Sequence, residues 1–196
     1  MPFIGLPQPG YLIPPEQIYC MDILGIWYAI TVLGTPEYWG FITAGLVIAY
    51  FALMHAIPEN PAWKNHRPAF RKFLLVFVPS ITILFVLTLG IKTAWYVQRP
   101  CTSCLITASP GCNPFCDMDS SFPSGHAGTI FVVFSSLYLA FRKRWILPLF
   151  IIPVLVSYSR IALGVHTWTD VFAGALLGLA IPVLVSIIIQ KKHKSH

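Results

Sequence analysis

The sequence predicts an all-α integral membrane bundle of five to six transmembrane helices. Composition is the first observation behind this: of 196 residues, 56% are hydrophobic and only 10% are charged, and mean hydropathy is +0.71. A soluble domain carries about 25% charged residues, so the surface of this chain needs lipid. The second is the spacing of apolar runs, most of them near the ~20 residues that cross a bilayer. The third is where the basic residues fall, in clusters that begin or end those runs.

The chain divides into residues 1–36, a transmembrane domain over 37–190, and a basic tail over 191–196. The first segment is proline-rich and opens without Lys or Arg, so it does not read as a cleavable signal peptide, which needs a basic start and an unbroken apolar core. Within it, residues 18–34 are apolar but short and contain Asp22. They read as a helix lying along the outer interface rather than as a sixth span. Five spans follow, expected at Tyr38–Ile57, Phe73–Ile91, His126–Phe141, Trp145–Gly164 and Thr167–Gln190. The third is short, which leaves room for an earlier start.

A net charge of +6 raises the possibility of nucleic acid, but its distribution excludes that reading. Ten cations form three clusters: Lys64, Arg67, Arg71 and Lys72; Arg142, Lys143 and Arg144; Lys191, Lys192 and Lys194. With an outer N-terminus and an inner C-terminus, all three fall on one side, the pattern of cytoplasmic loops in a cell membrane protein. Of the acids, only Glu59 then lies inside, and most tryptophans lie near interfaces, as an aromatic belt requires.

The charge rule leaves over Lys92, Arg99 and Arg160, with His126, His166 and Asp170, all at the outer ends of helices. Ionisable groups so placed mark a functional site. In "KTAWYVQRP" a Lys and an Arg stand two helical turns apart, a point charge and a planar fork suited to phosphate. In "PSGH", Pro123 suits a first helical turn, and the backbone N–H groups of Ser124 and Gly125 are expected to be free at a helix N-terminus, where anions bind. Gly125 admits a ligand close to the backbone, and His126 can give that ligand a proton. In "SRIALGVHTWTD", Asp170 follows His166 by one turn. It can hold one imidazole N–H and leave the other nitrogen free to attack. Gly174 and Gly178 continue the strip and read as helix packing. The set has the parts of a phosphoryl-transfer site: cations and N–H groups to neutralise oxygens, a nucleophile with its orienter, and an acid.

These residues resemble the three motifs of the type 2 phosphatidic acid phosphatase family, K-x6-RP, PSGH and SR-x5-H-x3-D, a site that the vanadium haloperoxidases share. They run here from Lys92 to Pro100, Pro123 to His126 and Ser159 to Asp170, and the resemblance extends over about residues 37–190. It implies that His166 is a nucleophile forming a phosphohistidine, that Asp170 orients it, and that His126 protonates the leaving group. Lys92, Arg99, Arg160, Ser124 and Gly125 are then implied to hold the phosphate, with no metal and no cofactor. The chain departs from the family's usual six spans in its first helix, which is shortened into residues 18–34 or missing.

The loop after Arg99 carries Cys101, Cys104, Cys112 and Cys116. An outer loop favours disulfides over a zinc knuckle. Four cysteines allow three pairings, and free thiols are a further alternative. Cys20 is left without a partner. A cross-link here would stiffen a cover over the site. The expected substrate is a lipid phosphate or diphosphate at headgroup depth: a polyprenyl diphosphate, phosphatidylglycerophosphate or phosphatidic acid, with short family members favouring the first. A phosphotransferase would use the same residues. An anion transporter would carry its charges near the bilayer midplane, whereas these sit at helix ends.

Overall fold

The structure is a computed structural model that describes residues 25–56, 60–102, 116–117 and 119–194, with only the backbone at 62, 193 and 194. Six α-helices are seen among these: α1 (25–32), α2 (Pro36–Ala56), α3 (Pro61–Ala94), α4 (Gly125–Phe141), α5 (Ile151–Ala162) and α6 (Trp168–Lys194). Four segments are long and apolar enough to cross a membrane, Gly25–Ala56, Trp63–Ala94, Arg144–Ala162 and Trp168–Lys192, and Gly125–Phe141 is a shorter apolar helix. The five expected spans therefore each meet a helix, but with altered ends. α3 begins well before Phe73 and runs for 34 residues, about 50 Å, against ~30 Å of hydrocarbon. Its first turns carry Lys64, Arg67, Arg71 and Lys72, so that cluster is helical rather than a loop. The span expected from Trp145 instead starts as two 3-10 turns, Arg144–Ile146 and Pro148–Phe150, before α5. Pro148 cannot supply the N–H that a continuous helix needs.

α4 is the hub, packed against α3, α5 and α6. It starts at Gly125 and is 17 residues long, so the third span is short in fact and not extended upstream. Its C-terminus closes on Arg142 in the left-handed region (φ 52°), whose N–H donates to Tyr138 O. Phe73, Phe77 and Leu84 of α3 pack with Val132 and Val133 of α4 and with Ile181 and Val185 of α6. Phe73 and Phe77 stack with ring centroids 5.0 Å apart. On the other flank, Ile130 and Phe131 meet Val156 of α5.

The tightest seam lies between α4 and α6. A Cβ on Gly174 would collide with the Ser124 carbonyl oxygen, and one on Gly178 would stand 2.5 Å from Gly128 O and 2.6 Å from Phe131 Cβ. The packing role expected for both glycines holds: backbone approaches backbone, as at small-residue seams in membranes. α2, by contrast, buries no residue, and Phe41 (79% exposed), Ile48 and Phe51 face outward. An all-round apolar helix of this kind needs lipid around it.

Candidate active site

The C-terminal ends of α3 and α5, the N-terminal end of α4 and the 163–167 turn before α6 converge at one end of the bundle. They line a cavity of about 300 Å³ whose walls include Lys92, Arg99, Gly125, His126, Arg160 and His166. The predicted residues, drawn from three separate motifs, are thus brought together. Asp170 and Ser124 stand behind this wall, both buried.

His166 is held from both sides. Arg160 O accepts hydrogen bonds from the N–H groups of Val165 (3.2 Å) and His166 (3.3 Å), a turn made possible by Gly164 at φ 65°, where a side chain would be strained. Arg99 Nη1 lies 3.4 Å from His166 Nε2. A guanidinium can only donate, so Nε2 carries the lone pair and Nδ1 the proton. On the Nδ1 side, Asp170 Oδ2 is 3.6 Å away, beyond a normal hydrogen bond. Ser121 Oγ sits between, 3.3 Å from Nδ1, and donates to Asp170 Oδ2 at 2.5 Å. The expected direct imidazole–carboxylate bond is therefore replaced here by a relay through a hydroxyl. Asp170 is also fixed by its own helix: Thr167 N–H donates to Oδ2 (2.7 Å) and Asp170 N–H to Thr167 Oγ1 (3.4 Å), a reciprocal capping box in which Asp replaces Glu. Burial pushes the His166 imidazole from 6.5 down to about 4; the charges of Arg160 and Arg99 add to this, and Asp170 opposes it. His166 is thus a buried, neutral imidazole at the cavity wall, with its Nε2 lone pair met by Arg99.

The helix mouth departs from expectation in one respect. α4 starts at Gly125, so Pro123 precedes the helix and Ser124 is its N-cap, accepting from Ala127 N–H through its side chain. The Ser124 N–H donates to Asp170 O at 3.0 Å and is not free for an anion. That bond instead ties α4 to α6 at the seam. Gly125, as the first helical residue, retains an N–H without an intrahelical acceptor. A Cβ there would meet nothing closer than 3.7 Å, so the space beside it stays open to a ligand. His126 faces the cavity, its Nε2 3.5 Å from Thr35 Oγ1. Arg160 is buried; its Nη1 donates to Thr31 Oγ1 at 3.1 Å, while its Nε has no partner among the described residues. A buried guanidinium N–H without an acceptor beside a cavity fits an incoming anion.

Lys92 and Arg99 are engaged differently. Lys92 Nζ donates to Asp119 Oδ2 (2.5 Å) and to Ser120 O (2.7 Å). Arg99 donates to Asp119 Oδ1 through Nε and Nη2, and to Val165 O through Nη1; Asp117 Oδ2 lies 3.5 Å from its Nη2. Burial alone would raise the Asp119 pKa, but the bonds and charges of Lys92 and Arg99 outweigh it and lower it. Ser120 Oγ accepts from Val97 N–H and donates to Trp95 O, which anchors this strip to the end of α3. Ser121, Asp119, Thr31 and Thr35 were not among the predicted site residues. Ser121 stands next to the PSGH motif, but nothing in its sequence context signals the relay.

Cys101 and Cys116 form a disulfide. This selects the cross-link over the zinc knuckle for that pair; Cys20, Cys104 and Cys112 lie outside the described residues.

A helical membrane bundle that gathers a neutral histidine, a second histidine and three cations around one cavity defines a class of phosphate-handling membrane enzyme. The chain belongs to the PAP2 superfamily, which it matches over residues 73–194, and is a membrane phosphatase of that family. It is 26% identical over 155 residues to YbjG of Escherichia coli strain K12, provisionally named an undecaprenyl-diphosphatase, covering 68% of this chain and 78% of that one. It is 36% identical over 148 residues to lipid phosphate phosphatase gamma of Arabidopsis thaliana, covering 68% of this chain and 62% of that one. Its fold resembles the crystal structure of the first transmembrane PAP2-type phosphatidylglycerolphosphate phosphatase from Bacillus subtilis, with a TM-score of 0.57 and 24% identity over 90% of this chain and 85% of that one.

Proposed function

We propose that the chain hydrolyses the terminal phosphate of a membrane lipid through a phosphohistidine, on the extracytoplasmic side of the cell membrane. The observation that carries this is His166: its Nε2 lone pair faces the cationic cavity, while Ser121 and Asp170 back Nδ1. In the first step Nε2 forms a bond to phosphorus, the ester or anhydride P–O bond breaks, and the leaving oxygen takes a proton from His126. Lys92, Arg99, Arg160 and the Gly125 N–H neutralise the equatorial oxygens. In the second step water attacks phosphorus, its proton goes to His126, and the N–P bond breaks to release inorganic phosphate.

A lipid substrate is supported by a second, largely apolar cavity of about 420 Å³ between α2, α3 and α4. It shares Pro36, Glu37, Phe85, Thr88 and Gly125 with the polar one, so a tail can lie in the first while its phosphate enters the second. A polyprenyl diphosphate is the favoured substrate, in keeping with the name of the Escherichia coli relative. The orientation is supported by charge: Arg71, Lys72 and Gln190 line a cavity away from the site, Arg142–Arg144 follow the far end of α4, and basic residues mark the cytoplasmic face. A disulfide beside the site suits the oxidising side.

Phosphate release from a panel of polyprenyl diphosphates, phosphatidylglycerophosphate and phosphatidic acid, with EDTA present, tests the reading. Wild type should release phosphate, most rapidly from the polyprenyl diphosphates, and His166→Ala should release none. Equal release by both proteins, or none by folded wild type on any lipid, would contradict it.

A further inference from the structure

Two of the cations assigned to substrate already hold an anion that belongs to the protein. The Asp119 carboxylate bridges Lys92 and Arg99 with one oxygen on each, and Asp117 lies against the same guanidinium. Arg99 has donors left for little else, since its Nη1 faces Val165 O and His166. Arg160, the third cation, makes no comparable ion pair among the described residues. The cavity wall as a whole sets Lys92, Arg99 and Arg160 against Glu37, Asp117 and Asp119, a balance of formal charge.

That balance has a consequence for which phosphates can enter. An ordinary phospholipid headgroup is a phosphodiester with one negative charge. Exchanging it for Asp119 replaces one singly charged acceptor with another and gains little. A terminal phosphate carries close to two charges at pH 7 and offers more acceptor oxygens, so it out-competes the carboxylate for the same donors. Asp119 is half exposed (51%), so its side chain can swing into water when displaced.

We propose that Asp119 is a specificity residue: its carboxylate keeps the Lys92–Arg99 cradle closed to singly charged phosphodiesters and yields it to a phosphate bearing two charges. This rests on the lipid phosphatase reading above. It explains how a site at headgroup depth escapes occupation by the surrounding bilayer, in which diesters vastly outnumber substrate.

The test compares full-length wild type and Asp119→Asn in detergent. Calorimetric titration with inorganic phosphate should show roughly tenfold tighter binding to the variant, the effect of removing a charge-assisted competitor. In mixed micelles, phosphatidylglycerol should compete with the lipid phosphate substrate in Asp119→Asn and not in wild type, while Asp119→Glu keeps the discrimination. Unchanged or weaker phosphate binding by the variant, or equal inhibition of both proteins by phosphatidylglycerol, would overturn the proposal. So would a fall in kcat alone, which marks a positioning role. The titration needs no turnover, so it decides the matter even if no lipid is hydrolysed and the enzymatic reading fails. If Asp119→Asn does not fold, a structure of wild type with orthovanadate gives the answer: Asp119 should have left Lys92 and Arg99, and its persistence on both would refute displacement.

Discussion

Ser121 is the residue whose loss should separate positioning from binding. Its hydroxyl accepts from His166 Nδ1 and donates to Asp170, and without it the carboxylate stands 3.6 Å from the ring. Ser121→Ala should lower kcat roughly tenfold, about the worth of one hydrogen bond to a charged group, with KM little changed; steady-state kinetics on one lipid phosphate would check this. The His166 pKa makes a second prediction. Folding depresses it from 6.5 to about 4, so the imidazole is neutral and nucleophilic throughout the range above that value. The acid limb of kcat/KM due to this residue should lie near pH 4, once the substrate's own ionisation (second pKa about 6) is removed. Stability follows the same sign. Below 6.5 the unfolded state takes up a proton that the folded state refuses until about 4, so stability should fall as pH drops through that window, as denaturant melts at a series of pH values would register. Lys92 and Arg99 do not share a helix as expected, nor do His166 and Asp170: α3 ends at Ala94, so Arg99 follows it in irregular chain, and His166 lies in the turn before α6. At this scale the motif residues were still legible from their types and spacing. Asp119 and Ser121 were not, because their roles come from a strip pinned to Trp95 and Val97 by tertiary hydrogen bonds. Thr31 reaches Arg160 across a separation of 129 residues, which no local pattern announces.

Between elements, the α4–α6 seam links packing to chemistry. Ser124 caps α4 while its N–H donates to the carbonyl of Asp170 on α6, and Gly174 leaves room for that approach. Gly174→Ala would push a methyl group into the Ser124 carbonyl. It should cost about 1–3 kcal/mol through overpacking and lower activity as well, because the same shift moves Asp170 away from His166. Thermal melts in detergent alongside turnover would measure both. The glycine strip was legible from its four-residue period. Helix ends were less so. Hydropathy detects where a chain is apolar, and α3 continues as helix into its basic turns, where Lys64, Arg67, Arg71 and Lys72 are good helix formers and the helix runs on through Pro68. The break at Pro148 lies within an apolar run that hydropathy reads as continuous.

On the scale of the molecule, the bundle is a device for bringing helix ends from distant parts of the chain to one depth. The membrane class followed from composition, since a chain with 10% charged residues cannot cover itself for water, and the apolar runs located the four long helices and the shorter α4. The fold of residues 25–35 against the site did not follow. Gly34 packs within reach of Val156 and the His126 carbonyl, and Thr31 and Thr35 meet Arg160 and His126, an arrangement that an interfacial reading of 18–34 does not anticipate. What the convergence is for can be measured directly. Wild type mixed with a lipid substrate labelled with ³²P in its terminal phosphate, then quenched within milliseconds in alkali, should yield labelled protein. Its phosphoryl bond should survive base, break in acid, and map to His166. Phosphate release at full rate with no labelled protein at any quench time, or label on another residue, would contradict the phosphohistidine account.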